Sequence, residues 1–340
     1  MNDYVSISEV ARKAGVGKST AARVISGTGS VKASTRQKVI EAAEELGYQR
    51  NALVDSWMSR VRGKRATAKR LCIAWLDQGD KHPKHWAPIA RLYEGAEQAA
   101  ARLNIRLERI SRNGGRVSLK RLNDILFHRN IAGCILFMPG PHYRSVFSFD
   151  KFPVVVLGDW LHDLGVPLIS AAHSENGEKA FTNLHKLGYK RIALVIARYS
   201  HDFSQKSLYS TFLRCCQEVE QPPLIHIYES NQVEESVDWI IDSGSDAVIV
   251  SDNTFKERLE KKGKGVPKDI GIAHLNAIPE EGDFAGIRQA QREMGQLASE
   301  VLYSSIIAGK VATQQFSVRM KMPGKWVGGG TVKASSKSAW

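Results

Sequence analysis

Residues 7–26 read ISEVARKAGVGKSTAARVIS, and their spacing decides how the rest of the chain is understood. Apolar or small residues fall at Ile7, Val10, Ala11, Ala14, Val16, Ala21, Val24 and Ile25, the period that buries one face of each of two short helices. Ala11 is small where the helices would cross. Gly15 sits where a tight turn asks for a positive φ that a Cβ resists. Past the turn, Lys18, Ser19, Thr20 and Arg23 take the outward side of the second helix. They are hydrogen-bonding side chains suited to a groove, and the unit reads as a helix-turn-helix.

A third helix is predicted from about Ser34 to Leu46, with Val39, Ile40, Ala43 and Leu46 inward and Gly47-Tyr48 as its C-cap and stop. Three helices of this size bury little area, so such a headpiece is marginal alone. The amphipathic run Ala52–Met58 (ALVDSWM) is too short to be a stable isolated helix, and a segment of this kind folds on a partner. RVRGKRATAKR, Arg60–Arg70, is basic and almost free of large apolar residues, as a linker is.

Charge follows the same division. The chain carries 48 Lys and Arg against 35 Asp and Glu, yet residues 1–70 alone hold 14 basic against 6 acidic residues. Most of the excess sits in a fifth of the chain, where phosphate neutralisation is the natural reason to concentrate it. No stretch approaches the roughly 18 apolar residues of a membrane span, and the polar start MNDYVSISE is not a signal peptide. Cys72, Cys134, Cys215 and Cys216 form no CxxC pair and have no His at ligand spacing. They read as reduced thiols of a cytoplasmic protein, and neither a metal nor another cofactor is expected.

From Leu71 onward, short apolar runs alternate with amphipathic stretches. Strands are expected at Leu71–Leu76, Ile105–Ile110, Gly133–Phe137, Val154–Leu157, Arg191–Ala197, Leu224–Tyr228, Ala247–Ser251 and Ile270–His274. Helices are expected at Pro88–Leu103, Leu119–Arg129, Gly177–Leu187, Ser204–Glu220, Val233–Ser243 and Phe255–Lys262. This is the pattern of parallel sheets covered by helices on both faces, with too many units for one modest sheet. The fold class is α/β: an all-α helix-turn-helix headpiece at 1–50, a hinge helix and basic linker at 51–70, and a two-lobed body of parallel sheets at 71–340. A ligand is expected beyond the carboxyl ends of the strands, in the cleft between the lobes. The second lobe is expected to end near Ala308. The tail, with Trp326, three glycines and KASSKS, is read as irregular, its Trp326 and Val327 resting on the first lobe.

The string from Val5 to Met58, with SISEVARKAGVGKSTAARVIS, VKASTRQKVIEAAEELGY, an Asn and a short hinge, resembles the DNA-binding region of the lactose-repressor/galactose-repressor (LacI/GalR) family. Weaker likeness runs through the body, in LGYKRIA at 187–193, GVPKDIGI at 265–272 and Ile287-Arg288-Gln289 with Glu293-Met294-Gly295 and Ala298. There it implies a periplasmic-binding-protein-like effector domain. The resemblance implies a second helix in the major groove, with paired hinge helices kinking the duplex from the minor groove. Position by position, it makes Lys18, Ser19 and Arg23 the base readers, with Arg23 the bidentate guanine contact. It makes Ser6, Thr20, Ser26, Tyr48 and Asn51 backbone contacts that position without specifying. Lys32 departs from a Ser-type cap. Trp57 replaces the usual hinge Leu, and either wedges between base pairs or packs between paired hinge helices.

The pocket departs furthest. His173 stands where the family commonly has Asp, Leu208 where it has a sugar-binding Arg, and Leu275 where it has Asp, followed by Asn276. Asp252 and Asn253 reverse the usual order. Trp86, Tyr199, His201 and Phe203 are candidate effector walls, joined by Asp252 and Asn276; each aromatic is equally readable as ordinary core or loop. The implied function is a sequence-specific transcriptional repressor, a homodimer on a pseudo-palindromic double-stranded operator. A small-molecule effector, such as a sugar or related metabolite, would control it. Two other readings stay open: a DNA-binding regulator with a degenerate pocket, and an α/β ligand-binding protein or enzyme without operator binding. No catalytic constellation is evident: the GKST at 17–20 follows a helix and lacks the first P-loop glycine, and His173, His185 and His201 show only neighbours along the chain.

Overall fold

A computed structural model describes residues 7–26, 31–46, 48, 70–77, 87–111, 116–137, 152–159, 165–204, 206–229, 231–279, 282–309 and 318–334. Ser6, Gly47, Asn51, the hinge run with Trp57, the linker as far as Lys69, Trp86 and residues 335–340 lie outside the described residues, as do the side chains of Ser26 and Phe203. The chain divides into two compact units, Met1–Lys69 and Arg70–Trp340.

In the first unit, α1 (Ile7–Lys13), α2 (Lys18–Ser26) and α3 (Ala33–Glu45) enclose a small core. Val10, Ala21 and Val39 are wholly buried, with Ala11, Ala42 and Ala43 beside them and Val16, Val24, Leu46 and Tyr48 packed around. Alanines dominate because three short helices meet too closely for larger side chains.

The second unit carries two six-stranded sheets. The first lobe holds β1 (Cys72–Asp77), α4 (Ala87–Arg102), β2 (Arg106–Ser111), α5 (Leu119–His128), β3 (Ile131–Phe137), β4 (Val154–Leu157) and β5 (Leu168–Ala171). The second holds α6 (His173–Lys186), β6 (Ile192–Ala197), α7 (Arg198–Phe203), α8 (Ser207–Glu218), β7 (Leu224–Tyr228), α9 (Val233–Asp242), β8 (Ala247–Val250), α10 (Phe255–Lys261), β9 (Gly271–His274) and β10 (Gly286–Arg288). The chain then forms α11 (Gln291–Ile307), β11 (Arg319–Met322) and β12 (Lys325–Val327). Sheet orders are β11-β5-β4-β3-β1-β2 and β12-β10-β9-β8-β6-β7. Every pairing is parallel except β10 with β12.

The period of two along each strand sorts its side chains between two cores. Cys72, Ala74 and Leu76 of β1 face Leu122 and Leu126 of α5, while Ile73 and Trp75 face α4 and α11. In the second sheet Ile192, Leu194 and Ile196 face α6 and α8, and Ala193 and Val195 face α9 and α10. Both faces are covered, which is why the strands read as continuous apolar runs.

Several expectations need correction. The second lobe does not run to Ala308. After β10 the chain crosses back, and α11 lies on the first sheet with Met294, Ala298 and Leu302 in its core. That boundary was hidden because the partner of α11 is α4, some two hundred residues earlier. Nor is the tail irregular throughout or seated on the first lobe. β11 joins the first sheet beside β5, and β12 pairs Trp326 with Ile287 in the second; strands of three or four residues carry too little periodicity to be read. α6 begins at His173, ahead of Gly177, because Gly177 is a packing site: a Cβ there would stand 2.4 Å from Leu208 Cδ1. The helix expected from Ser204 begins at Ser207, after Lys206 takes φ +60°, and the short helix before it, Arg198–Phe203, is not among those expected.

α4 and α11 touch backbone to backbone. A Cβ on Gly95 would sit 2.0 Å from the Arg292 carbonyl oxygen, and one on Gly295 would sit 1.9 Å from that of Leu92. Ser299 Oγ donates to the Ala96 carbonyl at 3.0 Å across the same seam. Gly95→Ala must push the helices apart, and is expected to lower stability by about 2–3 kcal/mol. Gln98→Ala, which loses only the exposed hydrogen bond from Gln296 Nε2 at 3.2 Å and clashes with nothing, should stay within about 1 kcal/mol. Denaturant midpoints of both variants check this.

Candidate functional site

Two places gather side chains that core packing does not explain. The first is on the headpiece. The turn after α1 closes as a Schellman motif: the Val16 N–H donates to the Ala11 carbonyl at 3.0 Å and the Gly15 N–H to that of Arg12 at 3.3 Å. Gly15 has φ +65° and open space around it, so conformation alone selects glycine there. The Gly17 carbonyl accepts from Thr20 and Ala21, which opens α2.

On α2, Ala21 is buried, Val24 and Ile25 lean on the core, and Lys18, Ser19 and Arg23 are exposed. Ser19 and Arg23, four residues apart, share one face. No acidic residue occupies the first turn of α2, so its positive N-terminal end is not offset locally. Thr20 is half-buried, and Ser26 is the last residue of α2. Tyr48 packs against the headpiece core, its N–H donating to the Ala43 carbonyl at 2.8 Å. Lys32, before α3, makes no side-chain capping bond; an ammonium cannot accept from the exposed N–H groups.

The second place is a cavity of about 260 Å³ between the lobes of the second unit. It lies past the carboxyl ends of the strands: Phe137, Leu157, Ala171, Ser251, Leu275 and Gln289 line it at or just after strand ends, with Ile169 and Ser170 of β5 beside them. Ile89 and Leu92 of α4, Gln291 and Met294 of α11, and His173, Tyr199, Ser200, Ser204 and Leu208 complete the wall with Gly158 and Asn276.

The chain crosses between lobes beside this cavity. The Ala172 N–H donates to the Met322 carbonyl at 2.9 Å. The Gly324 N–H donates to Asn176 Oδ1 at 2.7 Å, while its carbonyl accepts from Lys179 Nζ at 3.0 Å. Helix α6 thus ties two crossings together.

Beneath the cavity lies a buried carboxylate. Asp159 Oδ1 accepts from Ser170 Oγ at 3.0 Å and Lys321 Nζ at 2.6 Å, and His173 Nε2 is 3.7 Å from Oδ2. Strand register brings Lys321 opposite Ser170. Burial drives the His173 imidazole down to about 4, against the opposing pull of Asp159 and with help from Lys321. His274, the last residue of β9, is also held low by burial; its Nδ1 accepts from the Asn276 N–H at 3.0 Å.

Of the six effector candidates, Tyr199 and Asn276 line the cavity. His201 is buried, its Nδ1 3.0 Å from Asp202 Oδ1 and its ring edge-on to Tyr209. Asp252 Oδ1 accepts from the Thr254 N–H at 2.8 Å ahead of α10, and its neighbour Ser251 lines the cavity. Phe203 ends α7, and Trp86 lies outside the described residues. His173, Leu208 and Leu275, the three positions singled out for departing from the family pattern, come together in the wall. Sequence reasoning missed Ile89, Leu92, Phe137, Ile169, Gln289, Gln291 and Met294. The strand-end rule points to Phe137; Ile169 and Gln289 belong to or follow strands that the sequence did not reveal, and nothing local marks the two helices. Ser204 Oγ donates to the His201 carbonyl and not to its imidazole, so these residues form no nucleophile–base pair. Among the described residues no group of three His, Cys, Asp or Glu could hold a metal ion, and no helix is long and apolar enough to cross a membrane.

Residues 6–51 match the family model described as bacterial regulatory proteins, lacI family. Catabolite control protein A of Streptococcus mutans is 26% identical over 320 residues, covering 88% of this chain and 91% of that one. The Priestia megaterium protein of the same name is 29% identical over 248 residues, 72% of this chain and 69% of that one. Among solved structures, a transcriptional regulator CelR–cellobiose complex superposes with a TM-score of 0.62 at 18% identity, over 96% of this chain and 99% of that one. A lac repressor dimer bound to operator and the anti-inducer ONPF gives 0.61 at 19%, over 97% and 99%. These likenesses of fold span both units.

A buried neutral imidazole makes stability depend on pH. The unfolded chain takes up the His173 proton near 6.5, whereas the native protein resists it until about 4. Its contribution is complete above pH 6.5 and is lost as pH falls towards 4. Denaturant midpoints should therefore drop across that interval, and His173→Gln should flatten the drop. An unchanged slope in the variant would refute the assignment.

Proposed function

We propose that this chain, whose residues 6–51 match the model of bacterial regulatory proteins, lacI family, is a regulator of that family. The protein is a sequence-specific DNA-binding transcriptional regulator acting in the cytoplasm as a repressor, with no catalytic role. The observation that carries the reading is the face of α2, where Lys18, Ser19 and Arg23 stand exposed over a core that holds the helix rigidly. That face enters the major groove: Arg23 meets a guanine through two hydrogen bonds, and Lys18 and Ser19 reach adjacent base edges. Ser6, Thr20, Ser26, Tyr48 and Asn51 hold the phosphate backbone, and Trp57 belongs to the hinge at the centre of the site. Headpiece, hinge and body take residues 1–50, 51–70 and 71–340.

The lac repressor neighbour is a dimer on operator. The same arrangement for this chain presents two headpieces to two half-sites, and the operator is pseudo-palindromic. A small molecule in the interlobe cavity favours one lobe arrangement over the other, and needs a differential affinity of about 1–3 kcal/mol to change operator occupancy. Tyr199 and Asn276 contact it directly from the cavity wall.

Selection of bound duplexes from a random pool gives the operator and tests its two-fold symmetry. On that operator Arg23→Ala should cost about 1–3 kcal/mol at one base position per half-site and relax the preference there. Replacing Lys69 and Arg70 with Ala should weaken binding to all duplexes alike and reduce its salt dependence. Unchanged sequence preference in Arg23→Ala would overturn the recognition-helix assignment.

A further inference from the structure

On the reading that the interlobe cavity is the effector site, its lining narrows the occupant. No Lys, Arg, Asp or Glu lines it among the described residues. Its one imidazole, on His173, is kept neutral by burial, and Asp159 beneath is paired with Lys321. A carboxylate or phosphate entering this space loses its hydration and meets no cation among the described residues of the wall.

Beside Tyr199, the polar side chains of the wall are largely bonded to protein groups, with Ser200 Oγ donating to Ser251 Oγ at 3.3 Å. Ser170 Oγ donates to Asp159 and Ser204 Oγ to the His201 carbonyl. Gln289 Nε2 donates to the Leu275 carbonyl at 2.9 Å, and Gln291 Nε2 to Asn276 Oδ1 at 3.2 Å. The Asn276–Gln291 pair is left with the Asn276 amide N–H and the Gln291 amide oxygen for a ligand. A saccharide brings a hydroxyl on nearly every carbon, and most would go unsatisfied against Leu92, Phe137, Ile169, Leu208, Leu275 and Met294. Those six residues close on a guest from both lobes.

Size sets the remaining limit. An apolar protein cavity of about 150 Å³ accommodates benzene, so about 260 Å³ suits two fused rings. We propose that the effector is an uncharged, mainly apolar molecule of that size, bearing one hydrogen-bonding group that meets the Asn276–Gln291 amides. Its apolar body lies between Phe137 and Ile169 of one lobe and Leu208 and Leu275 of the other.

Isothermal titration of the full chain at about pH 7.5 with 2-naphthol, 2-naphthoate and maltose tests this. 2-Naphthol should bind at least about tenfold more tightly than 2-naphthoate, since only the anion forfeits charge hydration, and maltose should give no heat. Leu275→Asp should weaken 2-naphthol binding at least about tenfold, while Leu275→Met should stay within about twofold. Should Leu275→Asp fail to fold, the ranking of the three probes on the native chain and the Leu275→Met result still decide. Tighter binding of maltose or 2-naphthoate, lost in the Leu275 variants, overturns the neutral-ligand class while leaving the cavity as effector site. 2-Naphthol binding indifferent to Leu275→Asp overturns the placement, and absence of binding by all three overturns the proposal. Gel-shift titration on the selected operator reports on the DNA-binding reading independently of each outcome.

Discussion

The body of this protein depends on the close contact between α4 and α11. Two glycines, Gly95 and Gly295, remove the side chains that would hold the helices apart, and each lies against a carbonyl of the other helix. Dispersion falls steeply with distance, so this approach draws Ala96, Ala298 and Leu302 into one core with Ile73, Trp75 and Ile135 of the sheet. The contact also explains why the chain leaves the second lobe after β10. It returns to cover a sheet face that the first 170 residues left half open. Gln291 and Met294, at the start of α11, enter the cavity wall as a result of that return.

The crossings set the electrostatics of the cleft. α6 begins at His173, directly after the first crossing, so its imidazole is buried near the positive end of a helix and over Asp159. The carboxylate is neutralised from another direction, by Lys321 on β11, a strand that arrives only after the chain has crossed back from the second lobe. The charges are consumed below the cavity floor, and the space above presents apolar surface and amides. The headpiece shows the reverse economy of side chains: small alanines inside, and cationic and hydroxylic residues left outside on α2. One unit leaves its cationic side chains outside, and the described wall of the cavity in the other carries no Lys, Arg, Asp or Glu.

The sequence carried the repeated elements well. Val154–Leu157, an unbroken apolar run, Leu224–Tyr228 and helices such as α4 and α9 were legible, whereas α11, 17 residues long, was not among the expected helices. β5, β10, β11 and β12 escaped, since three or four residues such as Lys325–Val327 span too little of a period, and their pairing partners are distant in sequence. Of the candidate effector residues, Tyr199 on the short helix α7 and Asn276 after β9 reach the cavity, whereas His201 and Asp252 find local partners first. A loop residue's direction follows from such bonds, and sequence position does not supply it.

The amino-acid sequence by itself determined the helix-turn-helix, the concentration of positive charge in the first seventy residues and the alternating α/β body. Each follows from local conformational preference or from a count along the chain. Which lobe α11 and the terminal strands join, where the crossings meet and what the cavity presents were decided only in three dimensions. Those outcomes rest on contacts between residues one to two hundred positions apart, such as Gly95 with Arg292 and Asp159 with Lys321, and no local pattern encodes which distant surface a helix or strand will meet.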